Sequence, residues 1–138
     1  MLFIGCGDLV YKSSQGIDHE TLVDYGEFLT DKNKVYRRYD TSDEVLILEL
    51  QNVDLETFKP FGNSIYARDK CNIFSSRNGI IEEADVESFE AINIEVNGRL
   101  AYGKDKDNYF FWDQIVTDTI GFSEELKKTH LTNTEVIN

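Results

Sequence analysis

The sequence predicts a mainly β protein of the α+β class, in which β-hairpins and short helical turns repeat within one compact domain. Three observations support this prediction: a nine-residue phrase that occurs three times, a second phrase that alternates with it, and apolar residues at every other position around the first phrase. Repetition at a period of about 30–40 residues is typical of one supersecondary unit used several times. A chain of 138 residues is long enough for one sizeable core.

The first phrase contains an Asp-Lys pair, with one aromatic residue three positions before the Asp and another five positions after it. Its copies are FLTDKNKVY at 28–36, YARDKCNIF at 66–74 and YGKDKDNYF at 102–110. Alternating apolar residues on both sides of a polar centre are typical of a β-hairpin. A carboxylate in such a turn accepts hydrogen bonds from nearby backbone N–H groups. We therefore expect three structural turn residues, Asp31, Asp69 and Asp105.

The second phrase begins with Asp, continues with Glu two positions later, and ends with a large apolar residue. Its copies are DHETL at 18–22, DLETF at 54–58 and DVESF at 85–89. An Asp followed by Glu in the first turn suits an N-capped helical turn. We expect one such turn per copy, with its last residue, Leu22, Phe58 or Phe89, packed on the sheet.

Further elements lie between and after these phrases. The stretch 92–104 alternates around Asn97-Gly98, which favours a hairpin with a two-residue turn, and VLILEL at 45–50 is typical of a buried strand. A short helix is expected from Ser123. The predicted organisation is a single domain, 1–138, with repeats at about 8–36, 54–74 and 85–113, and with a short helix and polar tail at 123–138.

The chain is strongly acidic, with a formal net charge of −12. Such a surface repels phosphate backbones, which disfavours nucleic-acid binding, and attracts a basic protein. The alternative is that the charge serves solubility alone. The acidic stretches that we consider candidates for partner binding supply Glu82, Glu83, Asp85, Glu87, Asp40, Asp43 and Glu44.

The stretch NYFFWD at 108–113 contains four consecutive aromatic residues. Side chains alternate between the faces of a strand, so four aromatics in one strand place two on each face. If one face is core, the other presents aromatics outward, and Trp and Tyr are the residues most enriched in interface hot spots. We therefore add Tyr109 and Trp112 to the candidate partner-binding residues, with coverage by a neighbouring element as the alternative.

Catalytic, metal and cofactor signatures are absent from the sequence. The Asp-Lys phrases do not match a calcium loop, because Phe110 stands where the loop needs Gly and Cys71 replaces an oxygen ligand. His19 lies in HETL, which lacks the second ligand of a zinc protease. No nucleophile or phosphate-binding motif occurs. We predict no enzyme activity, no metal and no cofactor, with an enzyme of unrecognised type as a minor alternative.

Localisation depends on how Cys6 is interpreted. No apolar run reaches the length of a membrane span. Two cysteines, Cys6 and Cys71, are too few for a disulfide framework, which favours free thiols and a cytoplasmic protein. The alternative is a lipoprotein anchored at Cys6, because MLFIGCG resembles the end of a lipoprotein signal in a trimmed chain.

The repeated phrases resemble a bacterial family named after its DKNYY repeats. The similarity includes DKNKVY (31–36), DKCNIF (69–74), DKDNYF (105–110), VDLETF (53–58) and ADVESF (84–89), and it spans roughly residues 8–113. The first copy has Arg37 in place of the second aromatic, and Cys71 replaces the usual Asn. The resemblance implies a repeat fold and transfers no catalytic residue. Small acidic proteins of this kind are similar to immunity proteins that neutralise secreted toxins.

The sequence thus favours a non-enzymatic acidic binding protein, specifically an immunity protein that blocks the active cleft of a basic toxin such as a nuclease. The alternative is an envelope-associated or lipid-anchored repeat protein with a structural or sensory role. A basic and apolar segment preceding Cys6 would distinguish the second hypothesis from the first.

Overall fold

In a computed structural model, which describes residues 16–40, 42–117 and 136–137, the chain is built from short antiparallel strands. These residues form thirteen strands and no helix. The mainly β prediction is therefore confirmed, and the predicted helical part is not seen. The strands make three antiparallel sheets in one compact domain. Each sheet follows one copy of the second phrase. We call one copy of this phrase and the sheet after it a unit.

The first unit, residues 18–50, is a meander in which neighbours in space are neighbours in sequence. Strands β3 and β4 pair over six residues. The strand predicted at 45–50 is present, but it is buried only in part, since Leu50 is buried and Val45 is exposed. Within the described residues it pairs with β3 alone, and Val45 is 53% exposed. The strands are β1 (Val23–Asp24), β2 (Phe28–Thr30), β3 (Val35–Asp40) and β4 (Val45–Leu50).

The second unit, residues 54–80, and the third unit, residues 85–115, repeat this meander. The second contains β5 (Lys59–Pro60), β6 (Tyr66–Arg68), β7 (Ile73–Ser75) and β8 (Gly79–Ile80). The third contains β9 (Glu90–Val96), β10 (Arg99–Lys104), β11 (Tyr109–Phe111) and β12 (Gln114–Ile115), and β13 (Val136–Ile137) pairs with β9.

The hairpin predicted around Asn97-Gly98 is confirmed. Val96 pairs with Arg99, and the two turn residues have φ angles of 52° and 81°. Asn and Gly are the residues that adopt positive φ at least cost, and a two-residue turn of this type matches the twist of its strands.

The Asp-Lys phrase forms the tip of the central hairpin in every unit. One carboxylate oxygen of its Asp accepts hydrogen bonds from the backbone N–H groups two and three residues later, at 2.7–2.8 Å. The other oxygen accepts from the backbone N–H of the Asp that opens the second phrase, at 2.8–2.9 Å. These carboxylates therefore tie the two phrases of one unit together. The pairs are Asp31 with Asp18, Asp69 with Asp54, and Asp105 with Asp85.

The second phrase forms a hydrogen-bonded turn and not a helix. The N–H groups of Phe58 and Phe89 donate to the carbonyls of Asp54 and Asp85, each at 3.0 Å. The chain then passes directly into β5 or β9, so the turn is not extended. The predicted helical turns are therefore wrong, although the bond that closes each turn has the spacing of a helix.

Aromatic rings stack the units on one another in chain order. Phe58 packs between Phe28 of the first unit and Phe74 of its own, with ring centroids 5.7 and 6.2 Å apart. Phe89 repeats this arrangement between Tyr66 of the second unit and Phe110 of the third, at 5.0 and 5.6 Å. The two interfaces therefore use residues at equivalent positions of the repeated phrases.

Hydrogen bonds add to these interfaces. The buried Arg37 donates through Nη1 to the carbonyls of Ser76 and Arg77 at 2.9 and 2.6 Å, which joins the first unit to the second. Ile65 of the second unit donates its backbone N–H to the carbonyl of Leu100 in the third at 3.1 Å.

Cys71 is disulfide-bonded, and the described residues contain no free cysteine. The expectation of free thiols is therefore wrong at Cys71. Cys6, the only other cysteine in the sequence, lies outside the described residues, as does the helix predicted from Ser123. The part of the chain that the structure describes has no helix able to cross a bilayer.

Candidate functional site

The turn aspartates have their carboxylates occupied by backbone donors and do not converge. Asp31, Asp69 and Asp105 each belong to a separate unit and each bind the turn of that unit. Among residues 16–40, 42–117 and 136–137, no group of three or more His, Cys, Asp or Glu side chains could hold a metal ion. Each of these aspartates therefore has a structural role, which is to hold the turn of the second phrase against the hairpin tip of its unit.

Asp31 accepts more hydrogen bonds than the other two turn aspartates, because it also accepts one from the hydroxyl of Tyr36 at 2.9 Å. Burial of Asp31 raises its pKa. The backbone N–H donors and the Tyr36 hydroxyl lower it by more, so the pKa of Asp31 lies below its ordinary value. The side chain therefore stays ionised in the folded protein.

The acidic stretch at 82–87 divides into two groups. Glu82, Glu83 and Glu87 are exposed, and none makes an ion pair with a described residue. Asp85 is half-buried and accepts from the hydroxyl of Ser88 at 2.6 Å, a bond that lowers the pKa of Asp85. Asp85 thus closes its turn, whereas the three glutamates face solvent.

Glu87 also belongs to a repeated set. Glu20 and Glu56 occupy the same position in the other two copies of the phrase, two residues after the opening Asp. All three are exposed and lack an ion pair with any described residue. These carboxylates therefore lie at equivalent positions of the three units, each in the turn that precedes a sheet. We call Glu20, Glu56 and Glu87 the carboxylate row.

Asp40, Asp43 and Glu44 lie around the connection from β3 to β4, and all three are exposed. Asp40 forms an ion pair with Arg99 of the third unit. The structure therefore brings a candidate residue of the first unit next to the third, a relationship that sequence order does not indicate.

The aromatic stretch differs from the prediction of four aromatics in one strand. Strand β11 ends at Phe111, and Trp112 lies in the following turn with a φ of 54°. Tyr109 is half-buried and packs with Phe111 in a cluster of apolar residues of the third unit. Trp112 points instead into a cleft at the end of the hairpins opposite to their Asp-Lys tips.

This Arg–Trp cleft, as we call it, has a volume of about 300 Å³ and is assembled from all three units. Arg38, Ser76 and Trp112 occupy equivalent positions, each seven residues after a turn Asp. Each donates its backbone N–H to the carbonyl eleven residues earlier, at 2.8–2.9 Å. The lining residues are Arg38, Tyr39, Asp40, Ser76, Arg77, Arg99 and Trp112.

Two arginines contact the indole ring in this cleft. The guanidinium carbons of Arg77 and Arg99 lie 5.4 and 5.8 Å from the centroid of Trp112, within the range of cation–π attraction. Arg99 also pairs with Asp40 and, at 3.6 Å, with Glu27. Its position is therefore fixed from two sides.

The remaining lining arginines differ in their partners. Arg38 pairs with Asp24 at 3.0 Å. Arg77 is exposed and makes no ion pair with a described carboxylate. The cleft thus contains two guanidinium groups held by carboxylates and a third whose charge is not balanced by a described acid.

Sequence reasoning identified Asp40 and Trp112 in this cleft and missed the arginines. Four of the five arginines of the chain lie at or directly beneath the cleft, although they are spread over 63 positions, from Arg37 to Arg99. A usable signal was present in the repeats. Seven and eight residues after each turn Asp, where the framework of the phrase ends, the three copies carry different residues.

Comparison with known proteins gives no relative from which a role could be taken. No family model, curated protein or solved structure matches this chain significantly.

Proposed function

We propose that the protein is a non-enzymatic binding protein that recognises a basic protein, acting as an immunity-type inhibitor that covers the cationic cleft of a toxin such as a nuclease. The observation that carries the proposal is the carboxylate row. Glu20, Glu56 and Glu87 repeat with the units, face solvent and lack cationic partners among the described residues. In a chain of net charge −12, these exposed carboxylates attract the cationic surface of a partner.

The turns make this row rigid. Each glutamate lies in a turn that is hydrogen-bonded to the Asp-Lys tip of its unit, for example by the N–H of Lys106 donating to the side-chain hydroxyl of Ser88 at 2.9 Å. The same bond recurs from Lys32 to Thr21 and from Lys70 to Thr57. A surface that is ordered before binding loses less conformational entropy in the complex. Glu82 and Glu83 extend the acidic surface beside the third unit.

The proposal is tested with the product of the neighbouring gene, or with a basic protein captured from the source cell. Electrostatic steering predicts that the association rate constant falls at least about tenfold between 20 mM and 300 mM salt, because exposed charges are screened. The triple variant Glu20→Gln/Glu56→Gln/Glu87→Gln should lose most of this salt dependence. Toxicity that the native chain relieves should return with the variant.

A matched control removes three acids elsewhere in the described part of the chain. Glu90→Gln/Glu95→Gln/Asp107→Asn changes the net charge by the same amount, leaves the carboxylate row intact and removes no ion pair between described residues. If the two triple variants lose association rate equally, net charge alone acts, and the row has no special role. A rate constant that does not change with salt would remove the proposal.

The alternative is an envelope-associated repeat protein with a structural or sensory role. The disulfide at Cys71 favours a location outside the cytoplasm, as this alternative requires, because disulfides persist in oxidising environments and are rare in the cytoplasm. An immunity protein that acts outside the cytoplasm would fit the same observation. Fractionation of the source cell distinguishes a cytoplasmic chain from an exported one.

A further inference from the structure

We propose that the Arg–Trp cleft is a binding site for a small monocarboxylate, with the carboxylate held by Arg77 and its apolar part lying against Trp112 and Tyr39. This inference does not rest on the proposed recognition of a basic protein, because it concerns the opposite charge at the opposite end of the hairpins. It follows from the chemistry of the lining residues, the conformation of Trp112 and the position of the cleft in the repeats.

The cleft presents a guanidinium group, which binds negative charge. A guanidinium group presents two parallel N–H donors, which match the two oxygens of a carboxylate. Arg77 is the lining arginine that makes no ion pair with a described carboxylate. Arg38 and Arg99 are already compensated by acids. A single guanidinium that is not paired with a described acid can bind one planar carboxylate through two parallel hydrogen bonds.

The indole ring of Trp112 lies beside the Arg77 guanidinium. Trp112 has a φ of 54°, a left-handed conformation that is rare for a bulky residue and costs of the order of 1–3 kcal/mol. Two hydrogen bonds hold its backbone: its N–H donates to the carbonyl of Ala101 at 2.8 Å, and its own carbonyl accepts from Tyr66 at 2.7 Å. The fold thus maintains a strained residue that directs its indole into the cleft.

The three units differ in sequence at the cleft. The framework positions carry the same residue types in each unit: the turn Asp, the aromatics and the Thr or Ser of the second phrase. At the cleft, equivalent positions carry Arg38, Ser76 and Trp112, and the next positions carry Tyr39 and Arg77. Three copies of one structural unit therefore contribute different chemistry to one place. A volume of about 300 Å³ suits a ligand of a few non-hydrogen atoms with an apolar group.

Trp112 is the only tryptophan of the chain, so its fluorescence reports on the cleft directly. The experiment titrates the full chain, at constant ionic strength, with N-acetyl-leucine and with the uncharged N-acetyl-leucinamide. Two further arms use a tetrapeptide that ends in leucine, with a free and with an amidated C-terminus, and distinguish a free acid from a peptide end as the source of the carboxylate. Inorganic phosphate is titrated separately.

The expected result is a saturable change with N-acetyl-leucine and none with the amide. Arg77→Gln should weaken binding by about tenfold or more, because a charged hydrogen bond is lost, and Arg77→Lys should weaken it less because the charge is kept. Arg68→Gln, at the one arginine remote from the cleft, should bind like the native chain. Tyr39→Ala should weaken binding without changing the preference for the acid over the amide.

Three results would overturn the inference. An equal response to the acid and the amide would show that the carboxylate is not recognised. Binding of phosphate as tight as that of N-acetyl-leucine would indicate a general anion site. A lack of saturation up to about 100 mM ligand, the weak end of specific binding, would mean that the cleft is not a site for this ligand class. Thermal unfolding of each variant confirms that it is folded before it is titrated.

Discussion

The hydroxyl of Tyr66 lies 2.7 Å from the carbonyl oxygen of Trp112 and donates a hydrogen bond to it across the boundary between the second and third units. The carbonyl of Ala101, 2.8 Å from the same hydroxyl, is a second acceptor. Burial raises the pKa of Tyr66 well above its ordinary value, so the hydroxyl keeps its proton and remains a donor. This contact connects the stacking of the units to the conformation of the residue at the centre of the cleft.

Tyr66→Phe should therefore reduce the free energy of unfolding by about 1–3 kcal/mol, because two carbonyls lose a buried donor. Urea unfolding measures the loss. Tyr25→Phe is the matched control, since Tyr25 is 41% exposed and its change should cost less than about 0.5 kcal/mol. We also expect a shift in Trp112 emission in Tyr66→Phe alone. Equal stabilities of the two variants would contradict this prediction.

Gly103→Ala should destabilise the third unit by steric overlap. A Cβ at this position would lie 2.4 Å from Cζ of the buried Phe89 ring. The ring is enclosed by Phe61, Tyr66 and Phe110, so it has little freedom to move. We expect a loss of about 1–3 kcal/mol in urea unfolding, the usual cost of overpacking.

A second substitution separates overlap from any other effect of the alanine. Phe89→Leu alone should cost stability, because it leaves a cavity. In the double variant Gly103→Ala/Phe89→Leu, the smaller side chain relieves the overlap, so the double variant should be more stable than the sum of the two single losses implies. Strict additivity would mean that the ring and the added methyl group do not interact.

Asp31 should make stability fall at low pH. Its folded pKa is lower than its unfolded value, so its contribution is fully present above the unfolded pKa of about 4 and is lost as pH falls through the folded pKa. Asp31→Asn should cost about 1.5–3 kcal/mol at pH 7, since charged hydrogen bonds are lost. The gap between native and variant chains should narrow below pH 4 in urea unfolding. Asp107→Asn, at an exposed carboxylate, should cost less than about 0.5 kcal/mol at pH 7. A constant gap for Asp31→Asn would contradict the prediction.

Cys71 should resist alkylation in urea until a reductant is added, because it is disulfide-bonded. Mass spectrometry of a chain produced in an oxidising compartment measures this. Reduction should also lower the free energy of unfolding by about 2–4 kcal/mol. Labelling of Cys71 in urea without reductant would contradict the prediction.

Several elements of the fold could be predicted from short sequence patterns. The hairpin at Asn97-Gly98 and the strand at 45–50 follow from residues adjacent in sequence, where turn chemistry and alternation act over a few positions. The helical turns were predicted wrongly because one closing bond, such as that from Phe58 to Asp54, has helical spacing without a helix. A helix extends only if the residues after its first turn also adopt helical backbone angles, and here those residues form a strand.

The cleft was not accessible in the same way. Arg77 and Arg99 contact one ring only because the second and third units stack, and Arg99 reaches Glu27 only because the first unit lies within range. These contacts depend on the relative placement of whole units, which no short pattern specifies. Trp112 was identified for its residue type, but its left-handed backbone and its arginine neighbours depend on tertiary hydrogen bonds.

The wedge of Phe58 and Phe89 between neighbouring units has an evolutionary consequence. Each interface is made from the same three ring positions. A gene duplication that adds one more unit would therefore also supply the rings for its own interface. The length of such a protein can therefore change by whole units without a new interface having to evolve.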